Sequence, residues 1–331
     1  MLRHSSDSDP GYTRQRKGQA WAYFDGNARV TDRDEIDRLN SLALPPAYID
    51  AWFCKTENGH IQATGKDARG RKQYRYHADY RAKQDASKYA NCLEFGEALP
   101  NIRKRVEQDL KSRALGRDQV LAAVVRLLDT EHMRIGNEQY ARANKSFGLS
   151  TLRSRHVRKQ GGRVKIRYTG KHGIVHEATI TDASLKRVVG KCQELPGQML
   201  FQYLTDDGEP CPISSSDVND YIRESSGGEF TAKNFRTWGA SVIAFEQLLA
   251  KDEAEKLSVK TMIEPVAEAL GNTVTISRKS YVHPSLIDAV KDRPRDPLRG
   301  MTRPRARRNL SSAETAFLKF LSKKPRRKKA A

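Results

Sequence analysis

The sequence predicts an α+β protein: a small β-rich N-terminal domain, a larger and mainly helical domain that contains one β-hairpin, and a basic C-terminal arm. Three observations lead to this prediction. Short runs of alternating apolar residues occupy the first 80 positions, and helical periodicity replaces them afterwards. From position 301 onward, basic residues and prolines dominate. We therefore expect domains over residues 1–80 and 81–300, followed by an arm over residues 301–331.

The N-terminal domain is expected to combine strands with a single helix. A capping box at residues 31–34 opens this helix, and Pro45 ends it because proline cannot continue a helix. The Asn-Gly pair at 58–59 is a strong signal for a tight hairpin turn. The predicted strands, each with aromatic or β-branched residues, are 20–24, 51–56, 60–64 and 72–77.

Helical patterns account for most of the second domain. Pro100 is typical of a first helical turn, so it separates predicted helices over 80–98 and 101–113. A hairpin of strands 164–168 and 174–180 interrupts the helical pattern. The other predicted helices are 118–133, 183–194, 215–224, 231–251, 255–270, 273–281 and a short one after Pro284.

The C-terminal arm carries half of the net charge. Residues 301–331 contain eleven lysines and arginines and one acidic residue, a net charge of +10 out of +20 for the 331-residue chain. A capping box of Ser311 and Glu314 predicts a short helix up to Leu321. We expect the arm to be mostly disordered and to bind phosphate groups electrostatically. The alternative is that its short helix docks the Phe317–Leu321 face on the helical domain.

The overall charge indicates a polyanionic partner, which means nucleic acid or an anionic membrane surface. The longest apolar run, around residues 120–125, is far below the roughly 18 residues that a membrane span requires. The first 20 residues have no apolar segment typical of a secretion signal. We therefore expect no membrane association and a cytoplasmic, nucleoid-associated protein.

Cofactor chemistry finds little support in the sequence. The four cysteines form no C-x-x-C motif, and the eight histidines form no zinc-binding pattern, so we expect reduced thiols and no metal. No P-loop motif is present, which argues against nucleotide hydrolysis. The sequence thus predicts no cofactor, no metal and no bound nucleotide.

A protein of this kind can still act on phosphodiesters by nucleophilic catalysis. That chemistry needs a side-chain nucleophile, fixed cations at the phosphoryl oxygens and an acid for the leaving oxygen. Four segments carry suitable residues: Arg134 in RIGNEQY, Lys171 in TGKHG, Arg236 in KNFRTWG, and Asn272 with Tyr281 in GNTVTISRKSYVHP.

These segments and their order resemble the type IB DNA topoisomerases, in particular the compact poxvirus and bacterial branch. The resemblance extends from LALPPAYIDAWFC to SYVHP. The interval from Arg134 to Lys171 is 37 residues and that from Asn272 to Tyr281 is nine, which suits the family's catalytic pentad. The poxvirus enzymes have histidine at the position of Asn272, whereas the bacterial members have asparagine there.

The resemblance implies a role for each residue of this pentad. Tyr281 is expected to attack one DNA strand and form a 3′-phosphotyrosyl link. Arg134, Arg236 and Asn272 would stabilise the transition state, and Lys171 would protonate the leaving 5′-oxygen. Two domains would clamp double-stranded DNA, and a monomer would relax supercoils without ATP or an obligatory metal.

Each role competes with a simpler interpretation of the residue. Lys171 resembles a solvated turn lysine, and Asn272 resembles a helix cap. The neighbours of Tyr281 are too polar and cationic for a core tyrosine, which favours the nucleophile. Asn272 and Tyr281 are nine residues apart, which is two and a half helical turns, so they cannot share one face of a continuous helix. Gly271 must therefore break the helix for Asn272 to face the phosphate. His172, His176 and His283 are interpreted as structural or surface residues.

The resemblance also implies DNA contacts outside the pentad. Gln73, Tyr74 and Tyr76 match positions that touch the major groove, whereas Tyr140 and Lys233 match positions that contact the DNA backbone. Alternation along the strand places Gln73 on the opposite face from the two tyrosines. Two alternatives remain open: a tyrosine recombinase, which uses the same chemistry, and a non-catalytic basic DNA-binding protein.

Overall fold

A computed structural model describes residues 1–18, 20–68, 70–250, 257–291 and 304–323. Contacts between residues divide the chain into an N-terminal unit, Met1–Lys88, and a C-terminal unit, Tyr89–Ala331. Helix α2, Ala78–Leu110, begins before this division and continues beyond it. Among the described residues, no helix combines the length and the apolar character that a membrane crossing requires.

The N-terminal unit is built on one antiparallel sheet. Its strands are β1 Gly11–Lys17, β2 Ala20–Asp25, β3 Ala28–Arg29, β4 Ile49–Cys54, β5 Ile61–Lys66 and β6 Lys72–Tyr76. They are arranged in the order β3-β2-β1-β4-β5-β6, so β6 is an edge strand. The four predicted strands are confirmed within a few residues. Strand β1 is not predicted from the sequence, because its polar and charged side chains obscure the strand pattern.

The core of the N-terminal unit is small. Helix α1, Arg33–Ser41, contributes Leu39 to a cluster with Tyr23 and Phe53 of the sheet. Asp32 caps the helix by accepting hydrogen bonds from the backbone N–H groups of its second and third residues. The predicted helix is therefore confirmed, but its capping residue is Asp32 and not Thr31, the first residue of the predicted capping box.

The C-terminal unit is mainly helical and surrounds one continuous apolar core. Its further helices are α3 Arg117–Thr130, α4 Glu138–Asn144, α5 Ala183–Glu194, α6 Ser215–Ser226, α7 Ala232–Ala250, α8 Val259–Leu270, α9 Val274–Ser280, α10 Pro284–Lys291 and α11 Ser312–Ser322. Its strands are β7 Val157–Gln160, β8 Arg163–Thr169, β9 Val175–Ile180, β10 Gln202–Leu204 and β11 Pro210–Pro212. The predicted α+β class is thus confirmed.

Helix α2 corrects the prediction of two helices separated at Pro100. The helix continues through Pro100, although proline cannot donate the hydrogen bond expected of that position. Phe95 and Leu99 before the proline and Ile102 after it are all buried in the same core. Their packing outweighs the lost hydrogen bond, an effect that local sequence signals do not contain.

The predicted β-hairpin is confirmed and belongs to a sheet of three strands. β8 and β9 pair antiparallel from Val164 opposite Ile180 to Thr169 opposite Val175. β7 pairs with the other edge of β8 and is not predicted from the sequence. The tip of the β8–β9 hairpin is a short 3-10 turn, Lys171–Gly173.

The prediction of a disordered C-terminal arm is wrong for residues 304–323. Helix α11 buries Phe317 completely, with its ring 5.3 Å from those of Trp238 and Phe245 on α7. Its capping box, Ser311 with Glu314, is present as expected. The apolar side of the helix therefore completes the core. Arg303 and the basic residues after Lys323 lie outside the described residues.

A buried ion cluster fixes α11 in place. Glu314 accepts hydrogen bonds from the indole of Trp238 at 3.0 Å and from Arg103 of α2 at 2.8 Å. Arg103 also donates to both oxygens of Asp129 at the end of α3. Burial raises the pKa of Glu314, but the hydrogen bond and charge of Arg103 outweigh it and leave the pKa below its usual value. The carboxylate is therefore charged and paired.

Replacing Phe317 with alanine is expected to lower the free energy of unfolding by about 3–5 kcal/mol, the usual effect of emptying a buried aromatic site. Lys319→Ala on the exposed side of the same helix is the control, because it leaves the core intact. Urea denaturation followed by circular dichroism measures both. If the two variants unfold at the same urea concentration, α11 does not pack as described.

Candidate active site

Arg236 is the most deeply placed cation of the predicted pentad. It lies on α7 and is only 4% exposed. Its Nη2 donates to the carbonyl of Leu270 at 3.1 Å, and its Nη1 donates to the carbonyl of His132. Burial and the neighbouring charge of Arg134 lower its pKa to about 10, which leaves the guanidinium protonated at neutral pH. The two carbonyls thus hold the positively charged guanidinium in a fixed position.

The segment that carries Arg134 follows α3 and has no regular structure of its own. His132 adopts the left-handed conformation, with φ of 50°, and its carbonyl accepts from Arg236. The backbone of Arg134 is held by Leu149, whose N–H donates to the Arg134 carbonyl at 2.9 Å. Close packing of Gly136 on Gly148 permits this contact, since a methyl group at Gly148 would lie 2.5 Å from the Gly136 nitrogen.

Asn272 is brought to the site by the end of α8. Gly271 adopts the left-handed conformation, with φ of 59°, and ends the helix as predicted. The N–H of Asn272 donates to the carbonyl of Ala267 at 2.9 Å, which fixes the reversal of the chain. The turn directs the Asn272 side chain toward Arg134, whose Nη2 donates to the Asn272 Oδ1 at 2.7 Å.

This hydrogen bond determines which atoms of the cluster remain available. Because the Asn272 oxygen is occupied by Arg134, its Nδ2 group is a donor without a partner among the described residues. The same holds for Nη1 of Arg134 and Nε of Arg236, and all three atoms are buried. Buried donors are almost always satisfied, and leaving one unsatisfied costs about 1–3 kcal/mol. The arrangement therefore suits an anionic ligand with several oxygens.

Tyr281 lies at the end of α9, next to these donors. Its N–H donates to the carbonyl of Ser277 at 3.0 Å, and its carbonyl accepts from the hydroxyl of Ser241 on α7 at 3.3 Å. Its ring lies under the guanidinium of Arg236, 4.9 Å from the guanidinium carbon to the ring centroid. Helix α7 therefore positions both Arg236 and the backbone of Tyr281.

The two arginines change the acidity of the tyrosine. Burial of Tyr281 raises the pKa of its hydroxyl, whereas the positive charges of Arg236 and Arg134 lower it. The charges prevail, so the pKa lies below the ordinary value near 10. Tyr168 beside them is more deeply buried, and burial raises its pKa to about 12 despite the same two charges. Of the two phenols, Tyr281 is the more readily ionised.

Lys171 is the member of the predicted pentad that stands apart. It is exposed in the 3-10 turn between β8 and β9. Within the part of the chain that the structure describes, no hydrogen bond or ion pair joins its side chain to Arg134, Arg236, Asn272 or Tyr281. The structure thus brings four of the five predicted residues together and leaves the fifth on a projecting turn.

Three residues of this region were not assigned a functional role from the sequence. His132 supplies a backbone carbonyl to Arg236, a contribution for which no side-chain pattern exists. Tyr168 and His176 face each other across β8 and β9 with their rings stacked 5.3 Å apart. The sequence places them on either side of the TGKHG turn, which was the only hint that they are neighbours. The pairing of β8 with β9 in the structure shows that their side chains meet.

The predicted DNA-contacting residues occupy two kinds of surface. Tyr74 and Tyr76 on the edge strand β6 are 43% and 45% exposed and stack on each other at 5.9 Å. Gln73 lies on the opposite face and donates to Asp67 at 3.2 Å. Lys233 is exposed in the first turn of α7, whereas Tyr140 is half-buried in α4.

Comparison with known proteins identifies two family models that match the chain. Residues 77–296 match the catalytic core of eukaryotic DNA topoisomerase I, and residues 20–67 match the N-terminal domain of bacterial DNA topoisomerase IB. All five residues of the predicted pentad lie within the first match. The two matches together cover most of the described chain.

Individual relatives agree with these matches. DNA topoisomerase 1B of Acanthamoeba polyphaga mimivirus is 31% identical over 298 residues, which cover 86% of this chain and 88% of the relative. DNA topoisomerase 1B of Vaccinia virus (strain Copenhagen) is 23% identical over 240 residues, which cover 69% and 72% of the two chains.

Arg134→Gln is expected to raise the pKa of the Tyr281 hydroxyl, because it removes one of the two charges that lower it. NMR of protein labelled with ¹³C at the tyrosine Cζ measures this pKa, and the spectrum of Tyr281→Phe assigns the signal. Arg142→Gln removes the same charge from a side chain that is 79% exposed, and serves as the control. An unchanged Tyr281 pKa in Arg134→Gln would mean that Arg134 does not act on the hydroxyl.

Proposed function

The chain belongs to the type IB DNA topoisomerases, and from this premise we propose that Tyr281, Arg134, Arg236, Asn272 and Lys171 form its catalytic site. Enzymes of this family relax supercoiled duplex DNA by cutting one strand transiently through a 3′-phosphotyrosyl intermediate. The proposal concerns which side chains of this chain perform each step.

The observation that carries the proposal is a set of three buried donors that have no partner among the described residues: Arg134 Nη1, Arg236 Nε and Asn272 Nδ2. A phosphodiester in its transition state carries negative charge on several oxygens, and such a group matches these donors. Because the donors are already fixed by their other contacts, they need little reorganisation when the charge develops. The amide of Asn272 acts only by hydrogen bonding, since it cannot release a proton at neutral pH.

Tyr281 is proposed as the nucleophile. Its lowered pKa increases the fraction of phenolate at neutral pH, and phenolate is the attacking form. The phenolic oxygen bonds to phosphorus, the bond from phosphorus to the 5′-oxygen breaks, and a free 5′-hydroxyl results. The reverse attack by this hydroxyl restores the strand. The covalent link conserves the phosphodiester bond energy, so we propose that neither ATP nor an obligatory metal takes part.

Lys171 is proposed as the general acid for the leaving 5′-oxygen. An alkoxide leaves poorly, and a proton donated as the bond breaks removes this barrier. The exposed turn that carries Lys171 supports this role, since the side chain is accessible to a DNA strand.

The DNA itself is expected to contact surfaces beyond the site. The net charge of +20 favours a phosphate backbone, and Lys233 and Tyr140 are proposed to contact it. The exposed rings of Tyr74 and Tyr76, with Gln73, are proposed to reach the major groove. We propose that the enzyme acts as a monomer. We also propose that it acts at the cytoplasmic nucleoid, and the match to a bacterial N-terminal domain supports this location.

Relaxation is favoured over recombination for one reason. Both matching family models describe topoisomerases, and one of them covers the whole pentad. A tyrosine recombinase would exchange strands between two differently labelled duplexes, whereas this enzyme is expected to relax a supercoiled plasmid in EDTA without ATP and to exchange none.

Tyr281→Phe is expected to abolish both plasmid relaxation and the covalent adduct, because it removes only the attacking oxygen. DNA binding and the melting temperature should remain close to those of the unmodified protein. Relaxation is measured on agarose gels, and the adduct is measured as labelled DNA that migrates with denatured protein. Any relaxation by the phenylalanine variant would exclude Tyr281 as the nucleophile.

Lys171→Ala is expected to slow single-turnover cleavage by about 10²–10⁴-fold, the usual contribution of a positioned acid. A substrate with sulfur at the 5′-bridging position needs no proton to leave, so it should restore most of the rate. Lys165→Ala, on the same hairpin, is the control and should leave both rates unchanged. Equal losses on the oxygen and sulfur substrates would show that Lys171 is not the acid.

A further inference from the structure

His176 occupies the space between the two segments that precede predicted catalytic residues. A methyl group at Gly170, directly before Lys171, would lie 2.5 Å from the His176 Cδ2. A methyl group at Gly271, directly before Asn272, would lie 2.5 Å from the His176 Cε1. One imidazole ring is therefore in contact with the base of the hairpin turn on one side and with the end of α8 on the other.

The ring of His176 is itself fixed. It stacks on Tyr168, its partner across β8 and β9, with the two planes inclined by 19°. Tyr168 is only 4% exposed and belongs to the main core. The imidazole is thus an extension of the core that reaches the surface beside the turn.

The contact at Gly170 does not depend on an unusual backbone. Gly170 has φ of −93° and ψ of −165°, an extended conformation that other residues adopt. What a side chain at this position would meet is the imidazole ring. The Gly170 N–H donates to the Ile174 carbonyl at 2.7 Å and closes the turn, so its position also sets that of Lys171.

The charge state of His176 suits a packing role. Burial and the charges of Arg134 and Arg236 all lower its pKa, so the ring is neutral at neutral pH. A neutral ring can pack beside two guanidinium groups without electrostatic repulsion.

We propose that His176 is a positioning residue, which sets the distance between the Lys171 turn and the cluster of Arg134, Arg236, Asn272 and Tyr281. This inference rests on the proposed function of Lys171 as the general acid. The ring acts as a spacer: it is held by Tyr168 and Gly271, and Gly170 rests on it. Without the ring, the turn loses its support on the side of the site, and the lysine no longer reaches the leaving oxygen in the correct geometry.

The test compares single-turnover cleavage of two substrates, one with oxygen and one with sulfur at the 5′-bridging position. His176→Ala is expected to slow cleavage of the oxygen substrate by roughly 10²-fold, the effect of a small misplacement of a catalytic group. The sulfur substrate should restore most of this loss, as it does for Lys171→Ala. His176→Phe retains an aromatic ring on Tyr168 and should keep most of the rate on both substrates.

A second variant moves the turn and leaves the ring in place. Gly170→Ala introduces the overlap with His176 and should give the same loss on oxygen and the same recovery on sulfur. Gly116→Ala is the matched control, because Gly116 has the same φ of −93° and no atom within 4 Å of an added methyl group. In a His176→Ala background, Gly170→Ala should slow cleavage little further, since the ring atom that its methyl group would contact is absent.

The outcomes separate this inference from the proposed function. If the sulfur substrate restores the cleavage rate of Lys171→Ala but not that of His176→Ala or Gly170→Ala, the positioning role of His176 is wrong. Lys171 then remains the proposed general acid. If the sulfur substrate does not restore the cleavage rate of Lys171→Ala, both the general-acid role of Lys171 and the positioning role of His176 are wrong. If Gly170→Ala is as harmful without the ring as with it, the ring is not the spacer. Should His176→Ala unfold, the Gly170 and Gly116 pair still decides the question.

Discussion

The structure of the site depends on one buried guanidinium. Arg236 lies inside the C-terminal unit with little solvent contact, where an uncompensated charge is unfavourable. The two carbonyls that compensate it belong to His132 and Leu270, each two residues before a further member of the cluster. Placing this cation therefore brings the segments of Arg134 and Asn272 together. The same positive charge lies over the Tyr281 ring and lowers the pKa of its hydroxyl. One side chain therefore holds the cluster together and also makes Tyr281 more acidic.

Packing on the far side of α7 supports this arrangement. Trp238, two residues after Arg236, is buried against Phe317 and donates to Glu314. Glu314 in turn is paired with Arg103, which also binds Asp129. These contacts join α2, the end of α3, α7 and α11 around one charged cluster. Arg236 lies on one side of α7, and the opposite side of the helix is anchored by apolar contacts and this cluster.

Local signals in the sequence were sufficient where an element depends on its own residues. Helix α5, the β8–β9 hairpin and the break at Gly271 were predicted in place, because caps, periodicity and turn residues lie within them. The proposed pentad was inferred from the resemblance of four spaced motifs to the type IB family. What local signals could not decide depends on distant partners: the continuation of α2 through Pro100, the docking of α11, and the stacking of His176 on Tyr168. Each is determined by a surface that another part of the chain supplies.

The docking of α11 has a consequence for how the enzyme is made. Translation proceeds from the N-terminus, so α11 is the last of the described helices to be synthesised, after Arg134, Lys171, Arg236, Asn272 and Tyr281. A nascent chain that already contains all five residues still lacks Glu314 and Phe317, which cover Trp238. Helix α7 therefore reaches its final packing only after α11 has been synthesised. The cluster around Arg236, which lies on α7, gains its full support at that stage of translation.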